Sequence, residues 1–388
     1  MLNLPTDPKD SIAQLMADGY DMVLENGHLV VRRLPYVAQS GVRTDGKLVL
    51  PINDRGGVIT DVSGDHRIWF AGEEPCDESG KPLGTSRQLH GFGNGETADY
   101  MLSFKPPGGR YSNIREKIRH YSRLLRDTAR LIDPNVTDTP GAAFQVVEDG
   151  LPLVYRDTNA TRSGISNLNN LFRGHVIAIV GVGGTGSYIL DLVAKTWVDR
   201  IIIIDGDEFE NHNAFRAPGA VAHQVLKDKC KKADYFAKEY SRMHTGITSH
   251  SVALTADNLH LLEGATFVFL AAADAKERPE IMQWLRNQGV PFIDVGMSFR
   301  EGEGGLTGMA KVAMYLPDNP APLPTEPAME PVEDDYSSNI QVAELNALNA
   351  ILAVIRWKRY LGSYATSEQT TLTVYKLYLN ELRNGKIE

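Results

Sequence analysis

The second half of the chain alternates short apolar runs with segments of helical spacing. Four runs are predominantly apolar, as in strands buried on both faces: 176–180, 201–204, 267–271 and 292–295. Helical segments separate these runs, and that alternation is typical of a parallel sheet with crossover helices. The pattern therefore predicts an α/β fold over residues 156–388, with a Rossmann-like, mostly parallel sheet and flanking helices.

The first half of the chain has a different texture. Short alternating stretches are separated by turn signals, at residues 26–27, 45–46 and 106–109. An amphipathic helix is predicted over residues 114–132, where arginine and lysine stand between apolar positions. We predict a smaller α+β domain over residues 1–155, and its motifs indicate no particular chemistry.

Two features follow the last of the four apolar runs. Residues 315–339 are rich in proline and acidic residues and lack periodicity, which predicts an exposed crossover loop. A long apolar helix is predicted over residues 341–361, where it packs on the sheet or at a dimer interface.

Composition limits the classes of function. The chain has 388 residues, 42% of them hydrophobic, and a net charge of −9, which argues against a general nucleic-acid surface. Its two cysteines form no CxxC pair, so we expect neither structural zinc nor a disulfide framework and favour a reducing, cytoplasmic setting. The sequence has no apolar run long enough to span a membrane, and we expect no membrane partner.

A glycine-rich turn follows the first apolar run. The residues Gly181, Gly183, Gly184 and Gly186 lead into a helix with an apolar face. Glycines let the backbone approach phosphate oxygens, and the helix N-terminus offers unpaired N–H groups. Taken alone, this turn fits many Rossmann proteins, including those that only need a tight strand-to-helix connection.

The residues after the second apolar run indicate which class of Rossmann protein the chain resembles. Asp205 ends that run, at the position where Rossmann folds place an acid that binds ribose hydroxyls. The chain continues through Asp207, Asn213 and Arg216, followed by a basic run at residues 227–232 and by Asp274 after the third apolar run. The order GxGGxGS, DxDxxxxxNxxR, lysine and strand-end aspartate resembles the E1 / ThiF / MoeB adenylation domain over about residues 160–310.

The resemblance implies roles for individual residues. The four glycines would line ATP, Asp205 would hold the ribose, and Asp207 would belong to the same nucleotide site. Asn213, Arg216 and a lysine would meet the triphosphate; Lys232 is favoured by its spacing, with Lys229 in reserve. Asp274 would lie near Mg²⁺, unless it is only a helix N-cap, and the rest of the basic run would be a solvated helix face.

The resemblance also implies partners. Arg162, just ahead of the first apolar run, resembles the arginine that in this family reaches into the partner subunit's ATP site, which implies a homodimer. The substrate would be a ubiquitin-like or sulfur-carrier protein with a free C-terminal glycine, and an E2-like protein is a further candidate partner. The family's paired zinc-binding CxxC motifs are missing, and Ala217 stands where many relatives carry glutamine.

Thioester chemistry has weaker support in the sequence. Residues 315–339 contain no cysteine, although an E1 that passes its cargo onward needs one in or near this loop. Cys230 lies among lysines that favour a thiolate and is the tentative acceptor, whereas Cys76 lies beside carboxylates that disfavour it. An inert thiol is the alternative for both cysteines.

The sequence thus predicts ATP-dependent adenylation of a carrier protein's C-terminal carboxylate, with release of pyrophosphate. Two alternatives stay open. One is adenylation of a small carboxylate or peptide end without a thioester. The other is a scaffold that binds a nucleotide without turnover.

Overall fold

A computed structural model describes most of the chain. The described residues are 10–55, 58–61, 64, 66–93, 95–141, 143–146, 150–155, 157–163, 165–271, 277–318, 322–323, 340–366 and 370–387. They form two compact units. The first unit comprises Met1–Leu151 and Tyr155–Asn170, and the second comprises Pro152–Val154 and Leu171–Glu388.

The first unit contains one mixed sheet in the order β6-β7-β5-β3-β2-β1-β8, with β4 paired to β3. Its strands are β1 (Asp21–Glu25), β2 (His28–Ala38), β3 (Gly41–Arg55), β4 (Val58–Asp61), β5 (Arg67–Ala71), β6 (Thr85–Gly93), β7 (Glu96–Ser103) and β8 (Ala143–Val146). The pairings are antiparallel except that of β1 with β8, which is parallel. The predicted α+β character is confirmed.

Two helices accompany this sheet: α1 (Ser11–Asp18) and α2 (Ile114–Arg130). Helix α2 begins where the Asn113 side chain accepts a hydrogen bond from the Glu116 amide. Its buried residues Ile118, Tyr121 and Leu125 recur at helical spacing and join the core that the sheet forms with α1. The helix expected over residues 114–132 is therefore confirmed, two residues shorter at its end.

One predicted turn is wrong. Asp45-Gly46 does not separate two strands but lies inside β3, where Gly46 pairs with Leu34 at an irregularity of the ladder. A Cβ on Gly46 would lie 2.9 Å from the Tyr36 ring and 3.0 Å from the Leu34 carbonyl oxygen. The glycine is required by close packing across the bulge, which a local turn signal cannot distinguish from a hairpin.

Two short helices, α3 (Thr158–Ser163) and α4 (Ser166–Asn169), complete the first unit. Helix α3 contacts β3 and α4 contacts β6. Asp157 holds the pair together, because its carboxylate accepts hydrogen bonds from the Ala160 amide at 2.9 Å and from Asn169 Nδ2 at 3.0 Å. The segment just after residue 155 therefore packs with the first unit.

A pair of buried histidines joins β2 and β6. His28 Nδ1 donates to the Asn26 carbonyl at 2.9 Å, so its Nε2 accepts from His90 Nε2, also at 2.9 Å. His90 stacks on Trp69. Burial lowers the pKa of His28 to about 3 and that of His90 to about 4. Both rings are therefore neutral at neutral pH.

The second unit is built on a sheet in the order β11-β10-β9-β12-β13-β14-β15-β16. Its strands are β9 (Val176–Val180), β10 (Arg200–Ile204), β11 (Ile247–His250), β12 (Phe267–Leu270), β13 (Phe292–Gly302), β14 (Gly305–Tyr315), β15 (Leu372–Lys376) and β16 (Glu381–Gly385). The first five strands of this order are parallel and the last three add antiparallel. The predicted α/β fold is confirmed.

Helices cover both faces of this second sheet. The helices of this unit are α5 (Gly184–Val193), α6 (Asn211–Ala214), α7 (His223–Lys227), α8 (Lys232–Tyr240), α9 (Arg278–Asn287) and α10 (Ala343–Tyr360). Helix α9 packs through Ile281 and Leu285 on one face, and Trp357 of α10 lies against Phe269 on the other. Burial on both faces explains why the parallel strands read as continuous apolar runs.

The region after β13 differs from expectation. Tyr315 was expected to begin an exposed loop, but it is a buried end of β14 whose ring stacks on Phe292. The rest of the expected loop lies outside the described residues, except 316–318 and 322–323. In the described part of the chain, no helix is long and apolar enough to cross a membrane.

The histidine pair predicts acid destabilisation of the first unit. The unfolded state binds protons near the ordinary pKa of 6.5, but the folded state resists until about 4 or 3, so stability is lost as pH falls below about 6.5. The slope reaches about 1.4 kcal/mol per pH unit for each histidine. Urea unfolding between pH 7.5 and 4.5 should show a smaller acid loss in His90→Gln than in wild type. An equal acid loss in wild type and His90→Gln contradicts the assignment, and so does a reduced loss that appears only in the exposed control His260→Gln.

Candidate functional site

The glycine-rich turn lies between β9 and α5, at the carboxyl edge of the parallel strands. Gly181 has a positive φ of 82° and its amide donates to the Ile204 carbonyl at 2.7 Å. Helix α5 then begins at Gly184, with Gly183 as its N-cap and no side-chain capping bond. This edge of a doubly wound sheet is where ligands bind in such folds.

The glycines of this turn are required for different reasons. A Cβ on Gly186 would lie 1.8 Å from the Gly181 carbonyl oxygen, so the helix could not approach the strand end. A Cβ on Gly184 would lie 2.3 Å from Asn346 Oδ1. At Gly183, however, a Cβ would meet no described atom within 4 Å. Packing therefore explains Gly184 and Gly186, whereas Gly183 borders open space.

Asp205 ties this turn to the following loop. Its carboxylate is almost fully buried and accepts hydrogen bonds from the Val182 amide at 2.8 Å and from the Asp207 amide at 2.9 Å. Burial raises the pKa of Asp205, while the two amides and Lys232 oppose that shift. The residue predicted to bind ribose thus also fixes two backbone segments of its own site.

Lys232 and Asp207 form an ion pair beside Asp205. Lys232 Nζ lies 2.7 Å from Asp207 Oδ2, and the Lys232 side chain is 7% exposed whereas that of Asp207 is 74% exposed. The Lys232 amide also donates to the Asp207 carbonyl at 2.9 Å. Lys229, in contrast, is exposed and has a positive φ of 47°. Of the two candidate lysines, Lys232 is the one that the structure brings to the acidic loop.

The basic run at residues 227–232 was expected to form one solvated helix face, and the structure differs from that expectation. Helix α7 ends at Lys227 and α8 begins at Lys232, so the intervening residues form a connection. Within it, Lys231 Nζ donates to the Gly206 carbonyl at 2.9 Å. The connection is held against the loop after β10, which explains how one lysine of the run becomes buried.

Asn213 and Arg216 carry buried donors without acceptors. Asn213 Oδ1 accepts from the Glu210 amide at 2.9 Å, but its Nδ2 has no hydrogen-bond partner among the described residues. Arg216 Nε is likewise buried and without a partner there. Burial lowers the pKa of Arg216, and nearby Asp207 opposes that shift. Buried donors of this kind are costly unless a ligand satisfies them.

Asn346 of α10 is a site residue that the sequence reasoning missed. Thr185 Oγ1 donates to Asn346 Oδ1 at 3.0 Å, and Asn346 Nδ2 donates to the Val342 carbonyl at 3.1 Å. Asn346 is fully buried against the first turn of α5. Two asparagines three residues apart, Asn346 and Asn349, in an otherwise apolar helix were the available signal, but the helix was assigned to packing alone.

Two further residues at this edge of the sheet, Asp294 on β13 and Arg278 on α9, were not predicted from the sequence. Arg278 Nη2 and Asp294 Oδ1 are 3.2 Å apart, yet the contact lacks hydrogen-bond alignment, and both Arg278 Nε and Asp294 Oδ1 are without hydrogen-bond partners among the described residues. Burial raises the pKa of Asp294, and Arg278 and Lys311 oppose that shift. Helix α9 and strand β13 bring these two residues together only through packing in the fold, which no local sequence pattern reports.

Two predicted residues, Asp274 and Arg162, are not placed in this site by the described atoms. Asp274 lies outside the described residues. Arg162 belongs to α3 in the first unit, and its side chain lies outside the described part. Among the residues that the structure describes, no group of three or more His, Cys, Asp or Glu side chains could hold a metal ion.

The two cysteines differ in their surroundings. Cys76 is 1% exposed, and burial, followed by Glu74 and Asp77, raises the pKa of its thiol. Cys230 is half-buried, and its carbonyl accepts from the Phe209 amide at 2.7 Å. A buried thiol with a raised pKa is a poor nucleophile, which leaves Cys230 as the tentative acceptor.

Comparison with known proteins gives two family matches. Residues 156–377 match the ThiF family, and residues 10–158 match a domain of unknown function, DUF6791. No protein of curated function matches the chain.

Among solved structures, E. coli MccB with ATP is 14% identical, with a TM-score of 0.50 over 60% of this chain and 71% of that one. E. coli MccB with AMPCPP and MccA is 13% identical, with a TM-score of 0.48 over 59% and 70%. PaaA is 15% identical, with a TM-score of 0.46 over 59% and 71%. At these identities, the likeness to MccB with ATP concerns the fold.

Two glycine substitutions separate packing from ligand contact. Gly186→Ala should lower the free energy of unfolding by about 1–3 kcal/mol, because its Cβ collides with backbone. Gly183→Ala should cost less stability, yet weaken ATP binding measured by calorimetric titration. Normal ATP affinity in Gly183→Ala would show that the open space beside it is not the nucleotide site.

Arg216→Met tests whether the unpaired guanidinium serves a ligand. Because Arg216 Nε has no partner in the described part of the free protein, its removal should leave stability unchanged or raise it by up to about 1 kcal/mol. ATP affinity should fall about tenfold or more. The control Arg242→Met removes an exposed arginine paired with Glu239 and should change neither quantity. A destabilised Arg216→Met with normal ATP binding contradicts the assignment.

Proposed function

Because this chain belongs to the ThiF family over residues 156–377, we propose that it transfers the adenylyl group of ATP to a carboxylate at a protein or peptide C-terminus. One observation carries the proposal. Asn213 Nδ2 and Arg216 Nε are buried donors without acceptors among the described residues, and they belong to the acidic loop that binds Lys232. A polyphosphate would supply the missing acceptors.

The proposed nucleotide position follows from the chemistry of each group. The phosphates would lie over Gly181 and Gly183 at the start of α5, where backbone N–H groups and the helix dipole favour anions. Arg216 and Lys232 would neutralise the triphosphate. Asp205 would accept from a ribose hydroxyl, because each of its oxygens keeps a lone pair beyond the one that binds an amide.

In the proposed reaction, an acceptor carboxylate oxygen attacks the α-phosphorus of ATP. A carboxyl oxygen–phosphorus bond forms, the bond from the α-phosphorus to the β-phosphate oxygen breaks, and pyrophosphate leaves with the electron pair. Negative charge grows on the phosphoryl oxygens, and fixed cations such as Arg216 and Lys232 stabilise it. The carboxylate is the nucleophile, so this step needs no protein nucleophile.

Lys232 must exchange partners in this scheme. In the free protein its ammonium group is bound to Asp207, and that pair holds the cation beside the site without leaving it buried and unpaired. A triphosphate would compete with the Asp207 carboxylate for it. Asp274 is the proposed Mg²⁺ ligand, and Mg²⁺ when bound would neutralise phosphate charge.

The proposal also assigns a role to Arg162 and to the first unit. We propose a homodimer in which Arg162 of one protomer serves the ATP site of the other. Arg162 is part of helix α3, and helix α4 follows it in the chain. Both helices pack on strands of the first unit. The first unit, which contains the DUF6791 match, would therefore hold the helix that carries this arginine.

The proposed acceptor is the C-terminal glycine of a ubiquitin-like or sulfur-carrier protein. Adenylation without a thioester, on a peptide end or small carboxylate, is favoured as the second candidate by the state of Cys76, which is buried with a raised pKa. If a thioester forms, Cys230 is the proposed thiol, and an E2-like protein is the proposed recipient. A cytoplasmic setting fits these partners.

ATP–pyrophosphate exchange tests the proposal. With Mg²⁺ and small proteins or peptides that end in a free glycine, wild type should incorporate labelled pyrophosphate into ATP. Lys232→Met should lower the exchange rate by about a hundredfold, as expected when a charge-stabilising group is lost.

Lys229→Met is the matched control, because Lys229 is exposed three residues away in the same basic run. It should retain exchange within about twofold, since exposed charges contribute little. Equal losses in the two lysine variants would contradict the assignment of Lys232. ATP binding without exchange for any acceptor would favour the non-catalytic scaffold.

A further inference from the structure

The Arg278–Asp294 pair lies level with the glycine turn on the second sheet. Strand pairing sets Ile204, Val180, Leu270 and Asp294 side by side in one row across β10, β9, β12 and β13. Neighbouring strands are about 4.8 Å apart, so Asp294 is about 10 Å from the end of β9. That distance places it beside the proposed phosphate position and not within it.

Both members of the pair are incompletely satisfied. The Asp294 side chain is 10% exposed and its Oδ1 accepts no hydrogen bond from the described residues, while the buried Arg278 Nε donates none. Their 3.2 Å contact supplies attraction between charges but not the hydrogen bonds that buried ionic groups require. An acceptor and a donor therefore stand next to each other without partners.

The surface beside the pair has room for a ligand. Gly296 lies two residues beyond Asp294 on β13, hence on the same face, and a Cβ there would meet no described atom within 4 Å. The Gly296 carbonyl on this strand accepts from Asn349 Nδ2 at 3.2 Å, so α10 fixes the backbone here. The backbone is thus held at this point, and no described atom occupies the space next to Gly296.

We propose that Asp294 and Arg278 bind the C-terminal residue of the acceptor. In an extended conformation this residue presents the N–H of the last peptide bond and one carboxylate oxygen on the same side: the N–H would donate to Asp294 Oδ1, and that oxygen would accept from Arg278 Nε. The other carboxylate oxygen would then be free to face the glycine turn. This inference rests on the proposed function and makes Asp294 and Arg278 positioning residues for a peptide end.

The inference separates two acceptor classes. A protein or peptide that ends in glycine carries the required amide directly before its carboxylate. A simple carboxylic acid without an amide lacks the N–H that Asp294 would bind. The pair would therefore select peptide ends over simple carboxylic acids, since leaving buried polar groups unpaired is a strong source of discrimination.

Two small probes of equal shape test the proposal without turnover. N-acetylglycine contains the amide and the carboxylate, and acetoxyacetate replaces the amide N–H by an ester oxygen. Binding to the full chain with saturating non-hydrolysable ATP analogue is measured by saturation-transfer NMR. Wild type should bind N-acetylglycine about tenfold more tightly than acetoxyacetate, as expected for one hydrogen bond to a carboxylate.

Variants assign that preference to the pair. Asp294→Leu should bring the ratio of the two dissociation constants to about one, whereas Asp294→Asn, which keeps an oxygen acceptor, should retain part of it. Arg278→Gln should weaken both probes alike, since both contain the carboxylate. Glu280→Gln, an exposed change on the same helix, should leave the ratio as in wild type.

Several results would overturn the inference: equal affinity of wild type for the two probes, absence of binding by both, or a preference that persists in Asp294→Leu. The comparison of probes on wild type decides the matter even if Asp294→Leu does not fold. A preference for the amide without any pyrophosphate exchange would mean that the proposed reaction fails while the peptide-end site stands.

Discussion

The candidate site depends on the buried carboxylate of Asp205. This group accepts the Val182 amide from the glycine turn and the Asp207 amide from the loop after β10. A buried carboxylate is stable only when such donors satisfy it, so the two segments are held at fixed positions. Asp207 in turn binds Lys232, which brings the start of α8 to the same edge of the sheet.

The unpaired donors of the site contrast with one buried polar cluster, that around Asp138. In the first unit, Tyr20 lies 2.8 Å from Ser122 Oγ and donates to Asp138 at 3.2 Å, while Arg126 donates to the same carboxylate at 3.0 Å. Those groups satisfy one another and stabilise the fold. Asn213 and Arg216 instead keep donors without acceptors in the described part of the chain. Function accounts for such a cost more readily than folding does.

The sequence predicted the elements whose pattern is local. The predominantly apolar runs of β9, β10, β12 and the start of β13 predicted the parallel sheet, because burial on both faces leaves few polar positions. The glycine turn and Lys232 were likewise predicted from spacing. Strands β15 and β16 were missed, because the antiparallel edge they form has mixed burial and no apolar run.

Other features depend on distant contacts that no local pattern reports. Asp45-Gly46 is a turn signal in the sequence, but Gly46 lies at a bulge where a Cβ would collide with the Tyr36 ring. Arg278 and Asp294 meet only through helix and strand packing, and Asn346 reaches the site from a helix 160 residues beyond Gly186 in the chain (346 − 186 = 160). Helix α3 packs on the first unit although the change in sequence texture suggested a boundary before it.

A crystal structure of the full chain with a non-hydrolysable ATP analogue tests the central claim most directly. The account predicts phosphate density over Gly183, with Asn213 Nδ2 and Arg216 Nε within hydrogen-bond distance of phosphate oxygens and Lys232 turned from Asp207 toward them. Density elsewhere, or at this edge with Asn213 and Arg216 still unpaired, would contradict it.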